Sequence, residues 1–141
     1  MNAPPLPREV SRAFNALPAP IGKRLLQVRE LIFAAAAAHD GVGKLTETLK
    51  WGEPAYLTDE SGSGSTIRLG RLGDSDRAAV LFNCKTTLVD NFRDRFPDQF
   101  EYRQTRALLV PVTGRLPKQA LSVCLSLALT YHLDRRGRKA R

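Results

Sequence analysis

The chain has 141 residues, enough for one ordinary domain whose core requires neither a disulfide nor a metal ion. Hydrophobic residues make up 43% and charged residues 26%, the composition of a soluble globular protein. The net charge is +8, but residues 134–141 alone carry +4, so half of the basic charge belongs to the last eight residues. The longest apolar run, residues 31–38, is too short to cross a bilayer.

Helical periodicity dominates the first third of the chain. Residues 7–17 predict a short amphipathic helix that prolines end, and residues 21–38 predict a longer one with apolar residues at three- and four-residue steps. Residues 44–50 favour a further two-turn helix. Gly52 suits the left-handed residue that follows such a helix.

Four later segments predict strands because β-branched and apolar residues alternate with polar ones or fill the segment. They span residues 54–58, 65–69, 77–83 and 106–112. The Ser- and Gly-rich residues 59–64 predict a flexible hairpin connection. Thr87–Asp90 matches a capping box that begins a short helix, and residues 117–133 predict a final apolar helix.

This order predicts an α+β fold, a two-layer αβ sandwich with an antiparallel sheet of four to five strands and the N- and C-terminal helices on one face. Residues 1–19 form a Pro-rich lead and short helix, residues 20–133 a single domain, and residues 134–141 a basic disordered tail. Tyr56, Thr66 and Arg68 are expected on the other, partly exposed face of the sheet.

The string Lys-Trp-Gly-Glu-Pro-Ala-Tyr at residues 50–56 resembles the YdhG-like family, a domain of unknown function widespread in bacteria. The long N-terminal helix, the strand at residues 80–82, the strand after Arg106 and the closing helix also match, so the resemblance covers residues 20–133. It implies a compact αβ sandwich similar in shape to frataxin. One relative is regarded as an iron chaperone, which implies an iron or metal carrier as an alternative function.

Two neighbouring patterns predict a binding pocket. The only tryptophan, an acid and a tyrosine cluster at the bend around residues 50–56. Arg68, on the following strand, needs a carboxylate or an anion opposite it. Residues 83–87 follow a buried strand and precede a helix, a place that favours anions and a reactive thiol. The predicted pocket residues are Trp51, Glu53, Tyr56, Arg68, Cys84, Lys85 and Thr86.

Each pattern has a purely structural alternative. The two aromatic residues of the bend can be core packing, Glu53 can be the internal partner of Arg68, and Cys84 can be a small buried apolar residue. Because no histidine lies near Cys84 in sequence and the familiar catalytic signatures are missing, we expect a binding domain, with an enzyme that uses Cys84 as the alternative.

We therefore expect a small cytoplasmic domain, without cofactor or membrane contact, that binds an acidic small molecule or a protein carboxylate. The cytoplasmic assignment follows from two isolated cysteines and an N-terminus unlike a signal peptide. The tail predicts weak, nonspecific contact with nucleic acid. Its contacting residues would be Arg135, Arg136, Arg138, Lys139 and Arg141.

Overall fold

The structure is a computed structural model that describes residues 3–73 and 76–133. The predicted tail at 134–141, with the cations expected to contact nucleic acid, lies outside the described residues.

The described elements are two helices, four strands, a helix, two strands and a final helix, an order consistent with an α+β fold. The helices are α1 (Arg8–Ala16), α2 (Ala19–Ala37), α3 (Leu88–Arg95) and α4 (Lys118–Leu129). The strands are β1 (Thr46–Lys50), β2 (Glu53–Leu57), β3 (Ile67–Gly70), β4 (Ala78–Leu81), β5 (Glu101–Arg103) and β6 (Ala107–Val110). The predicted fold class is confirmed.

The strands form one antiparallel sheet in the order β1-β2-β3-β4-β6-β5. It has six strands rather than the predicted four to five, because β1 and β5 extend it at its two edges. The prediction of a central strand at residues 77–83 is confirmed, since β4 lies between β3 and β6 and all four of its residues are buried.

The predicted helix at residues 44–50 is wrong, because this segment contains strand β1. Every residue of β1 pairs with β2, from Thr46 opposite Leu57 to Lys50 opposite Glu53. The local sequence is short enough for either conformation, and pairing with an adjacent strand overrides its helix propensity.

One face of the sheet contributes to the main hydrophobic core, and the other has only a small apolar cluster among the described residues. Tyr56, Ile67, Val80 and Leu108 occupy paired or alternating positions and belong to the main core that the helices also build. We call this the inner face and the opposite one the outer face. Tyr56 therefore lies on the inner face, contrary to the prediction that it lines the exposed face.

Arg68 lies at the middle of a row that crosses the outer face. The residues of this row are Thr48, Ala55, Arg68, Leu81, Ala107 and Arg103. A small second apolar cluster occupies this face, with its members Ala79, Leu81, Ala107 and Leu109 no more than 5% exposed. Long charged side chains can cover such small residues while their charged ends remain in water. The outer face thus has a thin layer of small apolar residues that ionic side chains cover.

The connection between β2 and β3 is packed against α4 rather than flexible. The hydroxyl of Ser63 donates to the carbonyl of Leu129 at 2.7 Å, and the backbone N–H of Ser65 donates to the carbonyl of Ala128 at 2.9 Å. A Cβ at Gly64 would overlap these same backbone carbonyls. The hairpin predicted at residues 59–64 is present, but its loop satisfies the C-terminal carbonyls of α4.

Candidate functional site

Trp51 and Gly52 form the two-residue turn of the β1–β2 hairpin, with Lys50 paired opposite Glu53 on either side. Both turn residues have positive φ, 55° for Trp51 and 76° for Gly52. Two consecutive positive φ values are the mark of a type I′ turn, whose geometry matches the twist of a hairpin. The bend thus joins two strands rather than a helix and a strand, and the left-handed Gly52 belongs to a turn.

Trp51 is an unusual occupant of that turn. Asn, Asp and Gly are the residues that tolerate this backbone conformation, whereas an indole-bearing residue adopts it at a cost of about 1–2 kcal/mol. The side chain is 89% exposed, so packing does not offset the cost. An exposed, strained aromatic residue is better explained by contact with a partner than by stability.

A recess of about 260 Å³ lies beside Trp51 and extends along β3 to the end of β4. Its lining residues are Lys50, Trp51, Thr66, Arg68, Phe82, Asn83, Cys84 and Arg106. Of the residues predicted for a pocket, the structure brings Trp51, Arg68 and Cys84 together here. Glu53 joins them through its contact with Arg68, whereas Tyr56, Lys85 and Thr86 do not line the recess.

The recess has an excess of positive charge. Lys50, Arg68 and Arg106 line it, and Glu53 accepts a hydrogen bond from Nη1 of Arg68 at 2.7 Å. The side chains of this pair are 24% and 25% exposed. Burial raises the pKa of Glu53, and the charge of Arg68 offsets this only in part. The pair is thus accessible to a competing anion.

Tyr56 belongs to a buried network on the inner face. Its hydroxyl donates to Glu47 at 2.8 Å, and the guanidinium of Arg29 donates to both oxygens of the same carboxylate at 2.5 and 2.8 Å. The Tyr56 ring also meets Phe33 edge-on with centroids 5.8 Å apart. Burial and the bond to Glu47 raise the pKa of the Tyr56 hydroxyl. The structural alternative therefore holds for Tyr56, which fixes α2 on the sheet.

The turn before α3 uses its polar groups internally. The backbone N–H of Lys85 donates to Oδ1 of Asn83 at 2.9 Å, and the Thr86 hydroxyl donates to the Asn83 carbonyl at 2.7 Å. α3 begins at Leu88 as predicted, but the capping box is not formed because Thr87 makes no side-chain cap. Donors already bonded within the turn are poor ligands for an added anion.

The two cysteines occupy opposite environments. Cys84 is exposed, so it is not the buried apolar residue that the structural alternative assumes. Cys124 is buried in the core, and burial raises the pKa of its thiol to about 12. The recess therefore contains an accessible thiol, whereas the second thiol is sealed within the main core.

Sequence reasoning missed four polar residues of the recess as members of a pocket. Thr66 immediately precedes β3, two residues before Arg68, so an extended backbone places the two on one face. Lys50 lies on the outer face of β1, two residues after Thr48. Asn83 is adjacent to Cys84 and could have been included. Arg106 carries no local signal, because its place depends on β6 pairing with β4 across a long connection.

Within residues 3–73 and 76–133, no group of three or more His, Cys, Asp and Glu side chains could hold a metal ion. No helix in the described part of the chain is both long and apolar enough to span a membrane.

Comparison with known protein families gives no match, and neither curated proteins nor solved structures match the chain. The resemblance to the YdhG-like family therefore stays a prediction.

Proposed function

We propose that this protein is a binding domain for an acidic small molecule or a protein carboxylate, held in the recess beside the β1–β2 turn. The observation that carries the proposal is Trp51, which is exposed and strained at the rim of a recess with surplus positive charge. The carboxylate would meet Arg68, Lys50 and Arg106, and the indole of Trp51 would cover its apolar part.

The Arg68–Glu53 pair supports this proposal by its arrangement. An arginine has five N–H donors in a planar fork, and the bond to Glu53 uses one of them. Charge-assisted bonds between guanidinium and carboxylate contribute about 1.5–3 kcal/mol each. An incoming carboxylate would thus bind Arg68 beside Glu53 or in its place.

The binding experiment uses the single tryptophan as its reporter. Citrate is titrated into the full chain at physiological salt, and the emission of Trp51 is followed. We expect a saturable change, since a bound anion beside the indole alters its surroundings. Arg68→Gln should weaken citrate binding roughly tenfold or more, because about 1.4 kcal/mol corresponds to tenfold.

Glu53→Gln should act in the opposite direction. Removing this carboxylate frees Arg68 and raises the positive charge of the recess, so citrate should bind more tightly than to the wild-type chain. Lys44→Gln is the matched control, because Lys44 is exposed and does not line the recess. Equal effects of the Arg68 and Glu53 substitutions, or no saturable change in Trp51 emission, would contradict the proposal.

A further inference from the structure

A separate cavity of about 700 Å³ lies on the helical side of the molecule, between α2 and the start of α4. It shares no lining residue with the recess beside Trp51. Its lining includes the cations Arg24, Arg115 and Lys118, and none of the described residues that line it is acidic. A cavity of this size is in the range that holds small organic ligands.

Arg24 is the unusual residue of this cavity. Only 8% of it is exposed, yet it forms no ion pair with any carboxylate of the described residues. Nη2 donates to the carbonyl of Gly114 at 2.7 Å, which satisfies one of its five donors. No buried side-chain nitrogen among the described residues lacks a partner, so the nitrogens of Arg24 that have no partner reach solvent, and Arg24 lines this cavity.

A largely buried charge without a counter-charge is costly, and proteins normally pair it. The pairing group of Arg24 is therefore expected to be an anion that enters the cavity. The exposed cations Arg115 and Lys118 on the adjoining wall add positive charge, which would attract the same anion.

The start of α4 independently favours an anion at this place. The helix has twelve residues, and its N-cap, Pro117, supplies no side-chain cap for the first turn. The first-turn residues Lys118, Gln119 and Ala120 all line the cavity. Uncapped N–H groups and the positive end of the helix dipole bind phosphate groups well.

We propose that this cavity binds a phosphorylated small molecule, with its phosphate between Arg24, Lys118 and the first turn of α4. The remaining wall, formed by Phe96, Leu116 and Val123, would receive the organic part. This second site goes beyond the proposed function and does not depend on it.

The experiment titrates inorganic pyrophosphate into the full chain by calorimetry at physiological salt. We expect saturable binding that Arg24→Met weakens at least tenfold and that the double substitution Arg115→Gln and Lys118→Gln also weakens. Arg12→Met is the matched control, because Arg12 is exposed and outside the cavity. Trp51 emission is followed in parallel, so that any pyrophosphate bound in the recess is distinguished from the binding that Arg24→Met weakens.

Melting temperature and pyrophosphate affinity together distinguish an anion site from an arginine with a purely structural role. If Arg24 only anchors Gly114, Arg24→Met lowers the melting temperature but pyrophosphate affinity stays the same, which overturns the proposal. Absence of saturable binding at millimolar pyrophosphate overturns it as well. If Arg24→Met does not fold, the double substitution decides, since both of its residues are exposed and unchanged affinity there also overturns the proposal.

Discussion

Replacing Trp51 by asparagine separates stability from binding in this protein. Asparagine tolerates the left-handed backbone that Trp51 adopts at φ 55°. The indole is 89% exposed, so its removal loses little buried surface. The substitution should therefore relieve backbone strain without disturbing the core.

Both the gain in stability and the loss of affinity for citrate have an expected size. A non-glycine residue in the left-handed region costs about 1–2 kcal/mol, so Trp51→Asn should raise the free energy of unfolding by about 1 kcal/mol. The indole would cover a methylene group of citrate, whose burial contributes about 0.8 kcal/mol, so affinity for citrate should fall about fourfold. Stability and binding should thus change in opposite directions.

The assay is urea denaturation followed by far-ultraviolet circular dichroism, together with calorimetric titration of citrate. Gln104 supplies a matched control, since it is exposed, has φ 51° and lies outside the recess. Gln104→Asn should stabilise the fold to a similar degree and leave citrate binding unchanged. A loss of 1 kcal/mol or more in Trp51→Asn would refute the argument, because it would show that the indole packs.

Four further predictions concern the packing. Glu47→Ala should lower the free energy of unfolding by about 3–5 kcal/mol in urea, because it leaves the buried Arg29 without its bidentate partner; a loss below about 1 kcal/mol would contradict this. Gly64→Ala should cost about 1–3 kcal/mol in the same assay, because its Cβ would overlap backbone carbonyls at the end of α4, and an unchanged unfolding midpoint would show that the loop yields. A thiol reagent should modify Cys84 rapidly and Cys124 only on unfolding, so two fast thiols would contradict the burial of Cys124. Because burial raises the pKa of Cys124 from 9.0 to about 12, its unfolded thiol ionises first, and stability should fall as pH rises from about 9 to 12.

Local pattern predicted much of the fold. The period of apolar residues identified α1, α2 and α4, and the unbroken apolar segment at residues 77–83 identified β4 as a central strand. These elements are long or strongly patterned, so the side chains that decide them are neighbours in sequence. The two-layer arrangement followed because apolar helices and strands must cover each other.

The local sequence pattern did not predict the two edge strands, β1 and β5. The local sequence of β1 predicts a helix, and β5 has only three residues. Both strands form because a neighbouring strand offers unpaired backbone groups. Tyr56 shows the same limit, since the register of β1 and β2 places it opposite Glu47 on the inner face. A shift of one residue would have turned its side chain outward.

The sequence by itself determined the fold class, the core helices and the side chains at the bend, namely an indole, a carboxylate and a phenol. Only the tertiary structure decided that Trp51, Arg68 and Cys84 share a recess with Arg106, while Tyr56 and Thr86 lie elsewhere. It also decided that Arg24 is buried without an acidic partner among residues 3–73 and 76–133. The reason is physical: hydrophobic period depends on residues a few positions apart, whereas a site joins side chains from strands and helices that meet only when the sheet is complete.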